Sequence, residues 1–211
     1  MSSPIAAFYF DLASPVAYLA AERVLHVLGG PAEWRPVLAS ELRSASGEHA
    51  GISPCADTTI EQELRVAIER RARELDLQPL RWPAPFPFDS SLAMRVATYA
   101  ASIGRTVPFA QAAFRQAFAG GHSLENPDFV LIAAAACEMH PAAVLRGAEL
   151  RSTAQRLADV TAEAASVGVT DVPAIVVGGD VFLGEDALER AAARMRTEDT
   201  AATAGRSAGS Q

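Results

Sequence analysis

The strongest constraint on the fold lies near the start of the chain, where a short apolar segment leads directly into a helix. Residues 5–12 (IAAFYFDL) are almost all apolar or aromatic, which predicts a strand covered on both faces. Ser14 follows as the predicted N-cap, and Pro15 as the first helical residue, where its missing N–H costs no hydrogen bond. Apolar residues then recur at helical spacing until Gly29 and Gly30, which predict the helix end.

A second strand and a C-terminal hairpin extend this pattern. Residues 33–39 (EWRPVLA) predict a strand parallel to the first, which completes a right-handed βαβ unit. Residues 174–177 and 181–183 flank the turn at 178–180 (GGD), which is typical of a β-hairpin. Residues 185–196 predict a closing helix.

The middle of the chain predicts helices. The Ser-, Gly- and Pro-rich residues 40–57 are predicted as a loop, and a long helix then begins at a capping box, residues 59–62 (TIEQ). Residues 79–91 contain four prolines and cannot form regular structure. Residues 197–211 have few apolar anchors, which predicts a disordered tail. Five further helical segments are predicted at 91–103, 107–119, 127–138, 141–149 and 152–166.

These segments predict an α/β fold of the thioredoxin-like kind. A βαβ half and a ββα half share one mixed four-stranded sheet, and an all-helical domain is inserted between them. The predicted thioredoxin-like domain comprises residues 1–57 and 151–196, the inserted helical domain comprises residues 58–150, and the tail begins at residue 197.

Composition excludes several classes of function. The net charge is −7 and the 18 basic residues are scattered, so the chain offers no basic stripe to nucleic acid. All of these residues are arginine, and a chain without lysine cannot form a Schiff base. The apolar run 129–137 is too short to cross a bilayer, and residues 1–7 lack the basic region of a signal peptide. We therefore expect a soluble, cytoplasmic protein that does not contact membranes.

The cysteines and histidines do not suggest a metal or a redox centre. Cys55 and Cys137 are far apart in sequence and form no Cys-x-x-Cys pair. The four histidines lack metal-ligand spacing. We predict neither a metal site nor a local dithiol.

Two segments carry a resemblance to a known family. Residues 8–24 (FYFDLASPVAYLAAERV) and 168–189 (GVTDVPAIVVGGDVFLGEDALE) are similar to the 2-hydroxychromene-2-carboxylate isomerase family, a DsbA-like thioredoxin-fold group that includes kappa-class glutathione transferases. Weaker similarity extends from about residue 5 to 194. In that family a serine replaces the Cys-x-x-Cys of dithiol oxidoreductases, and Ser14 holds this position here.

The resemblance implies a thiol-binding role for Ser14. Its hydroxyl would donate a hydrogen bond to the sulfur of bound glutathione, or of another low-molecular-weight thiol, at the helix start that Pro15 opens. Val172 and Pro173 would form a cis-proline loop whose backbone pairs with the peptide-like part of the thiol. The alternative is that Ser14 is only an N-cap.

The resemblance also assigns the acidic pair before the last helix. Glu185 and Asp186 would bind the α-amino group of a γ-glutamyl moiety, although acidic residues at a helix start are also common as caps. Two positions depart from the family pattern. Residues 51–64 contain neither the Asn nor the Lys that glutathione-using members often carry, and residue 16 is Val where an aromatic is common.

Aromatic residues are the candidates for substrate binding. Trp82, Phe86 and Phe88 could form the wall of an apolar cleft, or could simply pack the proline-rich connection. Tyr18 matches an aromatic family position, and burial explains it equally well. Asp11, at the end of the first strand, is interpreted as a structural residue that orders the turn.

The resemblance implies a thiol-dependent isomerase acting on a small aromatic or conjugated-carbonyl substrate. Thiol transfer or peroxide reduction of the kappa-class kind is the first alternative. A non-catalytic binding or chaperone-like module is the second. Family members are often dimers, so the resemblance also suggests a homodimer.

Overall fold

A mixed four-stranded sheet forms the centre of the fold. The computed structural model describes residues 5–47 and 58–208. In the sheet order β2-β1-β3-β4, β1 and β2 run parallel, and the other neighbouring strands run antiparallel. This is the predicted thioredoxin-like arrangement, which is therefore confirmed. The strands are β1 (Ala6–Phe10), β2 (Ala32–Pro36), β3 (Ala174–Val177) and β4 (Asp180–Leu183).

Helices surround the sheet and fill the middle of the chain. The helices before the central segment are α1 (Pro15–Ala21), α2 (Val24–Leu28), α3 (Ala39–Ser46) and α4 (Thr58–Glu74). Those that follow are α5 (Ser91–Ser102), α6 (Thr106–Phe118), α7 (Pro127–Ala135), α8 (Pro141–Glu149), α9 (Arg151–Ser166) and α10 (Ala187–Ala208).

Aromatic side chains join the sheet to the inserted helices. The Phe10 ring lies 5.7 Å from the Trp34 ring and 5.9 Å from the Phe114 ring of α6. Phe8, Phe10 and Phe114 are fully buried, and burying each such side chain contributes about 1.5–3 kcal/mol. One continuous buried cluster includes residues on both sides of the predicted boundaries at 57 and 150, so the division into two domains stays a prediction.

The first predicted helix is divided in two. The predicted run from Pro15 to Leu28 breaks after Ala21, and Gly29 ends α2 with a φ of 68°. At the break, the carboxylate of Glu22 pairs with Arg115 of α6, and the guanidinium of Arg23 pairs with Glu189 of α10. Ion pairs between segments that are distant in sequence therefore accompany the break. The local sequence pattern gives no sign of such pairs.

Part of the predicted loop at 40–57 is helical. Residues 39–46 form α3, which packs against α9, and Leu42 of this helix is buried. The Ser- and Gly-rich composition suggested a loop because such residues favour turns in isolation. Packing of Leu42 against the core overrides that preference. Residues 48–57 lie outside the described part, as do the side chains of Thr59 and Ile60 in the predicted capping box.

The predicted disordered tail is helical over most of its length. Helix α10 continues through residue 197 to Ala208, and residues 209–211 lie outside the described part. The alanines of this segment have high helix propensity, and Arg194 forms an ion pair of 2.6 Å with Glu198, one turn further along. The high local helix propensity of this segment therefore outweighs its lack of apolar anchors, on which the predicted disorder rested.

Candidate active site

A cavity of about 470 Å³ opens where the β1–α1 junction faces α3, α4 and the proline-rich connection. Two parts of its lining come from different elements of the fold. The junction wall consists of Asp11, Ser14, Pro15 and Val172, which come from the β1–α1 junction and the loop before β3. The aromatic wall consists of Arg65 of α4 and Trp82, Phe86 and Phe88 of the connection.

Ser14 is both an N-cap and a residue of the cavity lining. Its Oγ accepts a hydrogen bond of 3.1 Å from the amide of Ala17, and its extended backbone is typical of an N-cap. None of the described residues accepts a hydrogen bond from the Ser14 O–H. The hydroxyl can therefore cap α1 and still donate a hydrogen bond to a ligand in the cavity.

The loop before β3 faces this serine across the cavity. The peptide bond between Val172 and Pro173 is cis, and Val172 contributes to the junction wall. Its amide donates to Asp171 Oδ1 at 2.8 Å, and the same oxygen accepts 2.8 Å from Arg43 Nη1 of α3. Pro173 does not contribute to the wall, and its carbonyl accepts from Gly184 at 3.3 Å. Val172 rather than Pro173 is thus placed to contact a ligand.

Asp11 fixes the backbone around Ser14. Its side chain is only 4% exposed, and the two carboxylate oxygens accept from the amides of Ala13 at 2.9 Å and Ala39 at 3.0 Å. Burial raises the pKa of the Asp11 carboxyl above its usual range, while these hydrogen bonds act in the opposite direction. The predicted role of Asp11 in ordering the turn agrees with this geometry. The sequence did not indicate that it also borders the cavity.

The aromatic wall is a packed cluster that also faces the cavity. The Trp82 and Phe86 ring centroids are 5.0 Å apart, and the Arg65 guanidinium lies 4.9 Å from the Trp82 ring. Trp82 Nε1 donates 2.7 Å to Glu69 of α4. Phe88 is 6.4 Å from Phe86. The same rings pack the connection and border the cavity, and their role in substrate binding stays a prediction.

Charged side chains of the cavity are mostly paired with one another. Arg65 lies 2.6 Å from Glu61 on the same helix, and Arg43 pairs with Asp171 as described above. Asp89 also borders the cavity, and hydrogen bonds from Ser91 hold the pKa of its carboxyl below the usual range. Arg43 was missed because its segment was predicted as a loop. Asp171, directly before the Val-Pro dipeptide, had a sequence signal that was not used.

Tyr18 does not line the cavity, and its predicted role in substrate binding is not supported by its position. Its side chain is 2% exposed and packs in the core against Phe118, with ring centroids 5.7 Å apart. Burial, together with the nearby Glu22, raises the pKa of Tyr18 to about 12. The aromatic position on α1 is a packing residue because this face of the helix meets α6.

Glu185 and Asp186 also lie outside the cavity wall. Both occupy the turn between β4 and α10, and Asp186, with 75% of its side chain exposed, lies 3.7 Å from Arg71 of α4. Glu185 borders a separate shallow depression of about 10 Å³ that shares only Val16 with the cavity. Neither residue of the acidic pair borders the cavity that Ser14 lines.

Within residues 5–47 and 58–208, no group of three or more His, Cys, Asp or Glu side chains is arranged to hold a metal ion. No helix among them has the length and apolar character needed to span a bilayer. Cys137 is buried, and burial raises the pKa of its thiol.

Comparison with solved structures gives the same fold. The solved structure of a 2-hydroxychromene-2-carboxylate isomerase superposes with a TM-score of 0.81 at 20% identity, covering 93% of this chain and 98% of that one. A probable DsbA oxidoreductase from Streptomyces coelicolor gives 0.72 at 16% identity, covering 92% and 91%. DsbA from Pseudomonas aeruginosa gives 0.54 at 17% identity, covering 96% and 92%. Identities this low show the fold alone.

Sequence comparison gives the family directly. No curated protein matches the chain. The model of the DsbA-like thioredoxin domain, however, matches residues 6–196, which is nearly all of the described chain and includes both Ser14 and the loop at Val172. This protein is therefore a member of the DsbA-like thioredoxin family, with a serine at the start of α1.

Proposed function

We propose that the cavity binds a low-molecular-weight thiol, glutathione or another, and that the protein is a thiol-dependent isomerase of the 2-hydroxychromene-2-carboxylate isomerase type in the cytoplasm. The observation that carries the proposal is that the Ser14 hydroxyl, the Val172 loop and the aromatic wall border one cavity. One solved relative is named for this isomerase activity, which directs the choice of reaction. The substrate is proposed to be a small aromatic or conjugated carbonyl compound.

The junction wall suits the sulfur of such a thiol. A bound thiol supplies a nucleophilic sulfur that adds reversibly to a conjugated double bond. In this proposal, the Ser14 O–H donates a hydrogen bond to that sulfur. A hydrogen bond to a charged group contributes about 1.5–3 kcal/mol, so it lowers the pKa of the bound thiol. Because α1 has only seven residues, its dipole adds little beyond the amides of its first turn.

The remaining residues would position the substrate. In this proposal, the carbonyl of Val172 pairs with the peptide-like part of the thiol, because the Val172 amide already donates to Asp171. The rings of Trp82 and Phe86 offer flat apolar surfaces against which a planar substrate can stack. Asp11 holds the main chain directly before Ser14 and ties it to the first residue of α3, so the hydroxyl keeps its direction while substrate enters.

The test measures thiol-dependent isomerisation of 2-hydroxychromene-2-carboxylate by its colour change. Ser14→Ala is expected to lower kcat/KM by about 10- to 100-fold, since the hydrogen bond to the sulfur is lost. It also removes an N-cap, which costs about 1 kcal/mol of stability. Asn126→Ala is the matched control, because Asn126 caps α7 before Pro127 in the same way and lies outside the cavity lining.

Three results would separate the alternatives. Loss of activity in Ser14→Ala but not in Asn126→Ala supports the proposal. Absence of turnover by the unmodified protein with every thiol contradicts it. Formation of a stable conjugate with a halogenated nitroarene would instead indicate thiol transfer, because isomerisation consumes no thiol.

A further inference from the structure

The charges of the cavity lining bear on which thiol it accepts. This inference rests on the proposed function, because it takes the cavity as a thiol site. Among the described lining residues, four carboxylates face two guanidinium groups. The carboxylates are Asp11, Glu61, Asp89 and Asp171, and the guanidinium groups are those of Arg43 and Arg65.

Both arginines already have a carboxylate partner. Arg43 Nη1 is 2.8 Å from Asp171, and Arg65 Nη2 is 2.6 Å from Glu61. Even with a neutral Asp11, the three other carboxylates of the described lining outnumber its two guanidinium groups, although Arg95, outside the lining, is near enough to Asp89 to help lower the pKa of its carboxyl. Residues 48–57, outside the described part, contain no Arg or Lys, and the basic side chain among them is His49. The described lining and residues 48–57 together therefore provide no unpaired arginine or lysine for a carboxylate of the ligand.

Glutathione carries two carboxylates and one ammonium group besides its sulfur. Each carboxylate would have to compete with Glu61 or Asp171 for an arginine, or remain unpaired beside like charges. The acidic pair expected to hold the ammonium does not border the cavity, and Asp186 is directed towards Arg71. Among the described lining residues, Ser14 offers a hydrogen bond to a sulfur, while neither arginine is free of a carboxylate partner for the charged ends of glutathione.

We infer that this cavity selects a low-molecular-weight thiol that has no free carboxylate, with neutral groups in its place. The hydrogen-bonding groups of the junction wall and the apolar surface of the aromatic wall suit such a ligand. A carboxylated thiol meets the same sulfur site but adds like-charge repulsion. The selectivity is electrostatic, so it decreases as salt increases.

The first experiment compares two thiols that differ only in this group. N-acetylcysteine and N-acetylcysteine amide are titrated into the unmodified protein, with binding measured by calorimetry and by the ultraviolet absorbance of the thiolate. We expect the amide to bind at least about tenfold more tightly, with a smaller ratio at high salt. The inference would be overturned if N-acetylcysteine bound as tightly as its amide, or more tightly, and glutathione bound as tightly as the amide. That result would leave the proposed function in place. Binding of none of the three would contradict the proposed function itself.

The second experiment releases one arginine. Glu61→Gln keeps the size of the side chain and removes the charge that pairs with Arg65, so the acid should gain at least about threefold in affinity while the amide does not change. Glu138→Gln is the control, because Glu138 pairs with Arg105 at 3.3 Å away from the cavity. An acid-to-amide ratio that is the same in both variants would refute the role assigned to the paired arginines.

Discussion

The junction wall and the aromatic wall of the cavity are held by different kinds of interaction. At the junction wall, main-chain amides donate to the buried carboxylate of Asp11, so the backbone itself is fixed around Ser14. At the aromatic wall, side chains hold one another: Trp82 donates to Glu69, and Arg65 lies over the rings. A fixed backbone suits the placement of a reacting group, whereas interleaved side chains can adjust to the shape of a substrate.

This difference separates folding from binding. Substitutions at the buried carboxylate of the junction wall are expected to cost mainly stability, because they leave main-chain donors without acceptors. Substitutions in the aromatic wall are expected to cost mainly affinity for the substrate. Each of the following measurements can contradict that separation.

The largest effect is expected from Asp11→Ala. The variant leaves the buried amides of Ala13 and Ala39 without their acceptors, which costs about 2–4 kcal/mol in the free energy of unfolding. Asp89→Ala, in the exposed turn before α5, should cost at most about 1 kcal/mol. Urea denaturation of both variants gives the comparison. Equal losses would show that the junction wall does not depend on its buried carboxylate.

A smaller effect is expected from Phe86→Leu, which keeps apolar bulk but removes a ring. Affinity for an aromatic substrate should fall by about 2- to 12-fold, equivalent to the 0.5–1.5 kcal/mol of an aromatic pair. Binding of the thiol, measured separately by calorimetry, should be unchanged. A parallel loss of thiol affinity would mean that the two walls do not have separate tasks.

The buried Asp11 of the junction wall and the exposed Asp89, which borders the cavity outside both walls, should also differ in how their contribution to stability depends on pH. The folded-state pKa of Asp11 is raised, so its contribution to stability is greatest below the ordinary value of 3.8 and is lost as the pH rises through the raised pKa. The pKa of Asp89 is lowered, so its contribution is present above 3.8 and is lost as the pH falls through the lowered pKa.

Denaturation at several pH values tests these opposite signs. Asp11→Asn should remove a decrease in stability on raising the pH from about 3.8, and Asp89→Asn should remove a decrease on lowering it. If both substitutions changed the pH dependence of stability in the same direction, the raised pKa assigned to the buried Asp11 would be contradicted.

The smallest effect is expected from Tyr18→Phe. The side chain is in the core behind α1, so kcat/KM should stay within about twofold and the free energy of unfolding within about 1 kcal/mol of the parent. A large loss of activity with unchanged stability would restore the substrate-binding role that the sequence suggested for Tyr18.

Features with a local physical cause could be predicted from the sequence. The strand before Ser14, the cap itself and the proline that follows are signalled within a few residues, and the structure has all three. The three aromatic rings of the connection were predicted either to form the wall of a cleft or to pack the connection, because a segment that cannot be helical must still bury its rings. The hairpin of β3 and β4 followed from its glycine turn.

Features that depend on distant contacts could not be predicted. Helix α3 depends on the burial of Leu42, and the pairing of Arg43 with Asp171 joins residues that are far apart in sequence. Asp186 likewise lies 3.7 Å from Arg71 of α4, a contact between residues that are far apart in sequence. The motif match did not show that Asp186 lies outside the cavity lining.

The hydrogen bond from Ala17 to Ser14 also limits what a single mutation could make of this protein. Dithiol oxidoreductases carry cysteines at both ends of a Cys-x-x-Cys motif, and the corresponding positions here are Ser14 and the fully buried Ala17. Cysteine at position 14 alone would provide a nucleophile without a neighbouring thiol to resolve a mixed disulfide. Dithiol exchange within the protein would therefore require cysteine at both positions, and the second would place a sulfur atom inside the core.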